Sequence, residues 1–262
     1  MNRTVTQQRT GGRASRTLKS FAAIAALLCA APAMADIVNF DAVPPSIYEG
    51  GSTLESNGYS MAFFDSEIAQ FFGVVGGVGA VINSTDLSSC DIAACPKNGT
   101  GNYLGVLNDG SVLFSRASKE GGFTLNGFKV AFVPPVTIAP GTFGQLLLSG
   151  SLYDGSIVNT IVAFPPTAVD GSAMFGAAAI DASFRQKTFS SLSMKACLFD
   201  GLGGCNNSLD MPAGNQAQFA LDDISFADVP EPGSFFLVGL GLAAFGLSRR
   251  RAGAKSAVSV NA

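Results

Sequence analysis

Apolar and polar residues alternate along most of this chain with a period of two rather than 3.6, the repeat of strands and not of helices. Residues 36–43 (DIVNFDAV) read as a half-buried strand, and residues 59–64 continue as strand after the turn at Asn57-Gly58. Residues 103–107 and 111–115 flank Asn108-Asp109-Gly110, a hairpin signal. Asn126-Gly127 predicts a turn before a strand at 128–133, which Pro134-Pro135 ends. Residues 144–153 and 156–164 are separated by Asp154-Gly155, both tolerant of the positive φ angles of a two-residue type I′ turn. Phe189, Leu192 and Met194 mark a further strand, and 217–226 (AQFALDDISF) the last, with Phe219, Leu221, Ile224 and Phe226 facing inward.

Short strands at intervals of about ten residues, punctuated by Gly, Asn, Asp and Pro, predict an all-β sandwich or barrel. Twenty-one phenylalanines supply a core without any Trp. No helix-period stretch of useful length precedes the chain's last thirty residues, and 168–182 is the one ambiguous window. The glycine-rich run 73–79 lacks the Lys of a phosphate-binding loop and any following helix, so it reads as a loop or a bulged strand.

The end of the chain breaks this pattern. Val229-Pro230-Glu231-Pro232 is held extended by its prolines. Residues 234–248 carry no charge, and Arg249, Arg250 and Arg251 follow at once. As a helix the uncharged stretch reaches about 22 Å, short of the roughly 30 Å hydrocarbon core, yet able to span by local thinning or snorkelling. Each arginine would cost about 2.5 to 3.5 kcal/mol at mid-bilayer, which makes the triplet a stop-transfer signal. A buried core helix fits the length as well, but this stretch has no polar face. The arrangement resembles the PEP-CTERM sorting signal of exopolysaccharide-producing Gram-negative bacteria. The resemblance implies that Pro230, Glu231 and Pro232 are recognised by an exosortase, a membrane-embedded transpeptidase-like enzyme. Residues 235–247 would be the single transmembrane helix and 252–262 a short cytoplasmic tail, longer than is usual for such signals.

The start of the chain agrees with its end. Arg3, Arg9, Arg13, Arg16 and Lys19 precede an apolar run at 21–31, and Ala33-Met34-Ala35 is a small-x-small cleavage site. Residues 1–35 are therefore expected to be a signal peptide, handled by the Sec translocon and signal peptidase, with the mature chain starting at Asp36. Cys29 follows Leu28, too large for a lipoprotein cleavage site, and is expected to leave with the signal. The exported domain, 36–228, would be held at the inner membrane by the 229–251 segment, then cut and released to the cell surface or beyond.

Charge and cysteine content narrow the chemistry of that domain. All nineteen acidic residues lie between Asp36 and Glu231 with seven basic ones, a balance of about −12. That argues against nucleic acid or anionic lipid as partners, because phosphate binding depends on Lys and Arg. The chain has no histidine, which removes Ser-His-Asp and Cys-His catalysis and histidine metal sites. Cys90/Cys95 and Cys197/Cys205 form two close pairs, read as local disulfides in an exported protein because neither has Cys-x-x-Cys metal spacing. Asp65 and Glu67 are an acidic pair on a strand face, ordinary surface features rather than an acid and a base for glycoside hydrolysis. Of the four tyrosines, Tyr48, Tyr59, Tyr103 and Tyr153, the last lies beside a turn and is the one best placed to stack on a sugar.

A second resemblance involves the two outer strands. Asn39-Phe40-Asp41 and Gln218-Phe219-x-x-Asp222 look like the first and last strands of PEP-CTERM proteins with jelly-roll domains, including a subgroup marked by QFxxD. It implies a jelly-roll-like sandwich whose terminal strands are neighbours, with Asp41, Asp222 and Asp223 as candidate ligands of a structural Ca²⁺. Three side chains fall short of the six to eight oxygens Ca²⁺ takes, and acidic residues on an edge strand also serve simply to block aggregation. The expectation is an exported, non-catalytic surface or matrix protein linked to exopolysaccharide and biofilm. The alternatives are a carbohydrate-binding module delivered by the same route and a histidine-free polysaccharide hydrolase.

Overall fold

The computed structural model describes residues 35–73, 76–86, 88–91, 95–118, 121–133, 144–199 and 217–229, together with 239, 241 and 242. Thirteen strands run in order: β1 (Ala35–Val38), β2 (Ser46–Glu49), β3 (Thr53–Ser56), β4 (Tyr59–Phe64), β5 (Gly77–Asn83), β6 (Asn102–Val106), β7 (Ser111–Arg116), β8 (Gly122–Phe132), β9 (Gly144–Leu152), β10 (Ile157–Ala163), β11 (Gly176–Ala177), β12 (Phe189–Leu198) and β13 (Phe219–Val229). Two short helices, α1 (Glu67–Phe72) and α2 (Ala182–Arg185), interrupt them. The unit they build spans Met34–Glu231.

The strands form one hydrogen-bonded path, β2-β5-β6-β13-β8-β12-β7-β4-β3. Between β8 and β12 that path depends on a single pair, Phe123 with Phe189. The molecule is therefore two antiparallel sheets joined at one corner. One holds β2, β5, β6, β13 and β8, with β1 on β13 and β11 on β8; the other holds β10, β9, β12, β7, β4 and β3. The chain is an all-β sandwich, as its alternation predicts. The two terminal strands, β1 and β13, are neighbours, with Ala35 opposite Ala227 and Val38 opposite Ile224.

The core between the sheets is aromatic. Phe226 stacks on Tyr59 at a centroid distance of 4.5 Å, meets Phe123 edge-on at 5.0 Å and leans on Phe114 at 5.6 Å. All four are buried. Ring packing also dictates two glycines: a Cβ at Gly79 would strike the Phe63 ring, and one at Gly150 the Phe189 ring. A smaller core lies on the outer face of the first sheet, where Ala80, Ile82, Tyr103, Ala131 and Ala220 are covered by Phe175 and Cys95. That cover is tied down by bonds from Lys97 N to Ala173 O and from Phe175 N to Lys97 O. Among the described residues the first sheet is thus covered on both faces, and the second on one.

Several local expectations change. The first strand stops at Val38 and the chain turns at Phe40–Val43, with Val43 N donating to Phe40 O. Asn108-Asp109-Gly110 does not close a hairpin: β6 pairs with β5 and β13, and β7 with β4 and β12, so the turn carries the chain from one sheet to the other. Asn108 and Asp109 adopt positive φ, as their type suggests. The β9–β10 loop has three residues, because Ser151 pairs with Ile157 and Gly155 N donates to Leu152 O. Only Gly155 takes a positive φ there, while Asp154 uses its carboxylate to accept from the Ser156 N–H and hydroxyl. Asn126-Gly127 lies inside β8 rather than in a turn. Asp65 and Glu67 do not share a strand face, since β4 ends at Phe64 and Glu67 opens α1 behind its Ser66 cap. The 73–79 run is part loop and part bulged strand, the bulge falling where Tyr48 pairs with Gly79 and Glu49 with Gly77. The 168–182 window is mostly irregular, with only β11 and the first residue of α2 regular. Among the described residues no helix is long and apolar enough to cross a membrane, and nearly all of the expected span lies outside them.

The ring cluster sets the first expected outcome. Phe226→Ala should lower unfolding free energy by about 3 to 5 kcal/mol, whereas Ile161→Ala, on an exposed position, should stay within about 0.5 kcal/mol. Urea unfolding of the oxidised domain measures both.

Candidate functional site

The outer face of the second sheet is uncovered by any of the described residues, and strand register determines what it displays. Along β9 and β12 every second side chain points into the core: Leu146, Leu148 and Leu192, Met194. The alternate positions point out and line up across strands. Ser151, Ser191, Ser115 and Ser60 form one row through the pairs 191–151, 191–115 and 115–60. Asn159, Ser149, Ser193, Leu113 and Ala62 form the next, and Ile161, Leu147, Lys195, Ser111 and Phe64 the third. Neighbouring strands lie about 4.8 Å apart and successive outward residues about 7 Å apart. The face is a grid of hydroxyls edged by Ile157, Ile161 and Phe64, all exposed.

A depression of about 570 Å³ opens in this grid, lined chiefly by Leu147, Ser149, Asn159, Ile161, Ser193 and Lys195. The three ion pairs among the described residues are Lys97–Asp170, Arg116–Asp228 and Lys129–Asp223, so Lys195 has no carboxylate partner there. An amide, an ammonium and two hydroxyls between apolar side chains can hydrogen-bond a polyhydroxylated chain laid along the sheet. Neither Asn159 nor Lys195 stands out in the sequence. The signal available was the recurrence of Ser at the outward positions of several strands.

The three aspartates divide. β13 carries a bulge where Asp222 pairs with Lys129 and Ser225 with Gly127, so three steps of β13 cover two of β8; an extra residue in β8, Asn126, then restores the register. Asp223 sits in the bulge at φ 48° and pairs with Lys129 Nζ at 2.6 Å. Asp222 is buried, and its Oδ1 accepts from Asp223 N at 2.8 Å. Asp41 Oδ1 accepts from Asn102 N at 2.9 Å, beside Gly101 at φ 78°. Burial pushes the Asp222 carboxyl up to about 6, with Asp223 and Asp41 adding to the rise and the Asp223 N–H and Lys129 opposing it. Asp41 and Asp222 therefore lie in each other's field, and Asp223 is spent on Lys129. Among the described residues no group of three or more Asp, Glu, Cys or His is arranged to hold a metal ion.

The remaining candidates fall as follows. Cys90 and Cys95 are disulfide-bonded with Cα atoms 5.2 Å apart. Cys197 is also disulfide-bonded, and Cys205 lies outside the described residues. Tyr59 and Tyr103 are core residues and Tyr48 stacks on Phe63, whereas Tyr153 is exposed beside the β9–β10 loop. Ala35 and Asp36 open β1, and Val229 closes β13. Ala33, Pro230, Glu231, Pro232 and Arg249–Arg251 lie outside the described residues. One cluster had no sequence signal at all. Tyr59 Oη donates to Asp228 Oδ1 at 2.8 Å, Arg116 pairs with the same carboxylate, and the guanidinium carbon lies 6.0 Å from the Tyr59 ring centroid. Burial pushes the Tyr59 hydroxyl up to about 12, Arg116 opposing and Asp36 adding.

The chain matches the PEP-CTERM protein-sorting motif family over residues 228–251. No curated protein matches it. Among solved structures, it is similar to TmCBM61 in complex with β-1,4-galactotriose, at 14% identity over 65% of this chain and 88% of that one, with a TM-score of 0.28.

Because the folded protein binds the Asp222 proton more tightly than the unfolded chain, this group's stabilisation is complete below pH ~4 and is lost as pH rises through ~6. With chelator present, Asp222→Asn should gain on the wild type between pH 4 and 7 by up to about 3 kcal/mol. Urea midpoints at pH 4, 5.5 and 7 measure this. Millimolar Ca²⁺ that raises the wild-type midpoint at pH 7, and not that of D222N, would place the ion on this carboxylate.

Proposed function

We propose that this chain, which carries a PEP-CTERM sorting motif after a β-sandwich, is a non-catalytic surface or extracellular-matrix protein associated with exopolysaccharide. The sorting motif implies an exported protein that passes through a membrane-anchored intermediate and is processed by an exosortase. The single observation that carries this reading is the position of the match: residues 228–251 begin where the folded domain ends, at the close of β13. An uncharged segment flanked by three arginines holds such a domain at the membrane until the peptide upstream is cut. The first thirty-five residues, read as a signal peptide, supply the entry to the same route.

The lack of histidine supports a non-catalytic role. The acidic balance suits a solvated matrix component and disfavours nucleic acid. Local disulfides suit the oxidising compartments outside the inner membrane. Intact-mass analysis of protein recovered outside the producing cells tests the scheme. The expected species lacks residues 1–35 and everything beyond the Pro-Glu-Pro region, and is four hydrogens lighter than its reduced form. A secreted species with its C-terminus complete to Ala262 would overturn the reading.

A second reading, a carbohydrate-binding module sent by the same route, is favoured by the hydroxyl grid and the depression around Asn159 and Lys195. A neutral, hydroxyl-rich polysaccharide matches that surface better than a polyanion, since the domain as a whole is acidic. Polysaccharide pull-down should then show saturable binding that falls about tenfold or more in Asn159→Ala/Lys195→Ala, at unchanged thermal midpoint. Absence of saturable binding by the wild type across a neutral glycan panel would dismiss it.

A further inference from the structure

We propose that the end of the sheet where β13 terminates is the surface on which the sorting enzyme lands, and that the enzyme must peel Asp228 and Val229 from β8 before it can cut. The inference rests on the sorting reading above. The family match begins at residue 228, but β13 runs to Val229, so the first two residues of the signal are also the last two of the folded sheet. Asp228 pairs with Phe123 and Val229 with Gly122. No spacer separates the two functions: Pro230 follows Val229 directly.

Chain geometry then leaves the enzyme little freedom. Glu231 is two residues beyond Val229 and at most about 7 Å from it. A cleft that encloses Pro230–Pro232 must meet the sheet end itself, where Arg116 and Gly121 lie beside the strand end. Enzymes that read an extended peptide do so largely through its backbone N–H and C=O groups. In an antiparallel ladder these two consecutive residues alternate, so one of 228 and 229 gives both its N–H and C=O to β8 and is held there. Asp228 is further fastened by the Tyr59 hydroxyl and by Arg116. This fastening lies between strands far apart in sequence and forms only when the domain has folded, so it slows the cut on the folded precursor.

The other expected cut shares the location. Ala35, after which signal peptidase is expected to act, pairs with Ala227, one residue from Asp228. Both expected cuts thus adjoin described residues at the same end of the sheet, Ala35 and Val229.

Pulse-chase of the full-length precursor in its producing cells tests the inference by rate. A flexible insert of roughly eight Gly and Ser residues between Val229 and Pro230 frees the motif without touching the fold. It should shorten the processing half-time by about two- to fivefold, with the same final product. Tyr59→Phe removes the hydroxyl to Asp228, keeps the ring packing and lies outside the motif. It should accelerate processing about twofold at native spacing and add nothing once the insert is present. A half-time that the insert leaves unchanged or lengthens overturns the inference while sorting stands. A wild type that is never processed overturns both.

Discussion

The pairing of β13 with β8 is the contact from which the rest of the structure follows. Those two strands run side by side for their full lengths and form the spine of the first sheet. β13 sends Phe219, Leu221, Ile224 and Phe226 into the core. Strict alternation would put Leu221 and Phe226 on opposite faces, five residues being an odd number. The bulge at Asp222–Asp223 corrects the parity, and the extra residue Asn126 in β8 returns the ladder to register one pair later, at Phe226 and Leu125. The same irregularity aims Asp223 at Lys129 and leaves Asp222 buried. The acidic cluster is thus a consequence of fitting four large side chains on one face.

This origin explains which parts of the fold could be read from the residues. Where one face of a strand is buried and the other wet, the alternation is visible, and β4, β7, β9, β12 and β13 lie close to where the pattern places them. Connectivity is less visible, because a turn sequence specifies local dihedrals and says nothing of which strands pair beyond it. Asn108-Asp109-Gly110 has the positive φ angles of a hairpin turn and nonetheless bridges two sheets. Asp154-Gly155 belongs to a hairpin, but Ser156 competes for the Asp154 carboxylate, which favours the three-residue loop. Asn126-Gly127, a strong turn dipeptide, is absorbed by a bulge whose need arises only from the partner strand. β2 escaped notice because its Ile47 faces solvent and its pattern lacks a buried side.

The candidate sites divide the same way. Features carried by contiguous sequence were legible: the Pro-Glu-Pro block with its arginines, and the Cys90/Cys95 pair. Features assembled across strands were not. Lys195, Ser149 and Asn159 lie on three strands and meet only through register. Arg116, Tyr59 and Asp228 come from β7, β4 and β13 and converge because both sheets end at one corner, where Phe123 and Phe189 join them. The aspartate trio stood between these cases. Adjacent Asp222 and Asp223 invite a joint role, but the bulge turns one toward Lys129 and buries the other.

An interior C-terminal strand also constrains how this domain is made. β13 is flanked by β8 on one side and by β6 and β1 in tandem on the other, so neither neighbour has its full set of hydrogen bonds until residues 219–229 are present. β1 is the first strand in the chain, and among the described residues its only partner is the last. Contacts of such long sequence separation are slow to form, because loop-closure entropy is lost before they give anything back. The first sheet therefore cannot close until residues 219–229 are available to pair. The Phe226 cluster, the β1 pairing and the Arg116–Asp228–Tyr59 cluster all draw on this one strand. The segment that completes the fold is therefore continuous with the segment that matches the sorting motif, and the two share Asp228 and Val229.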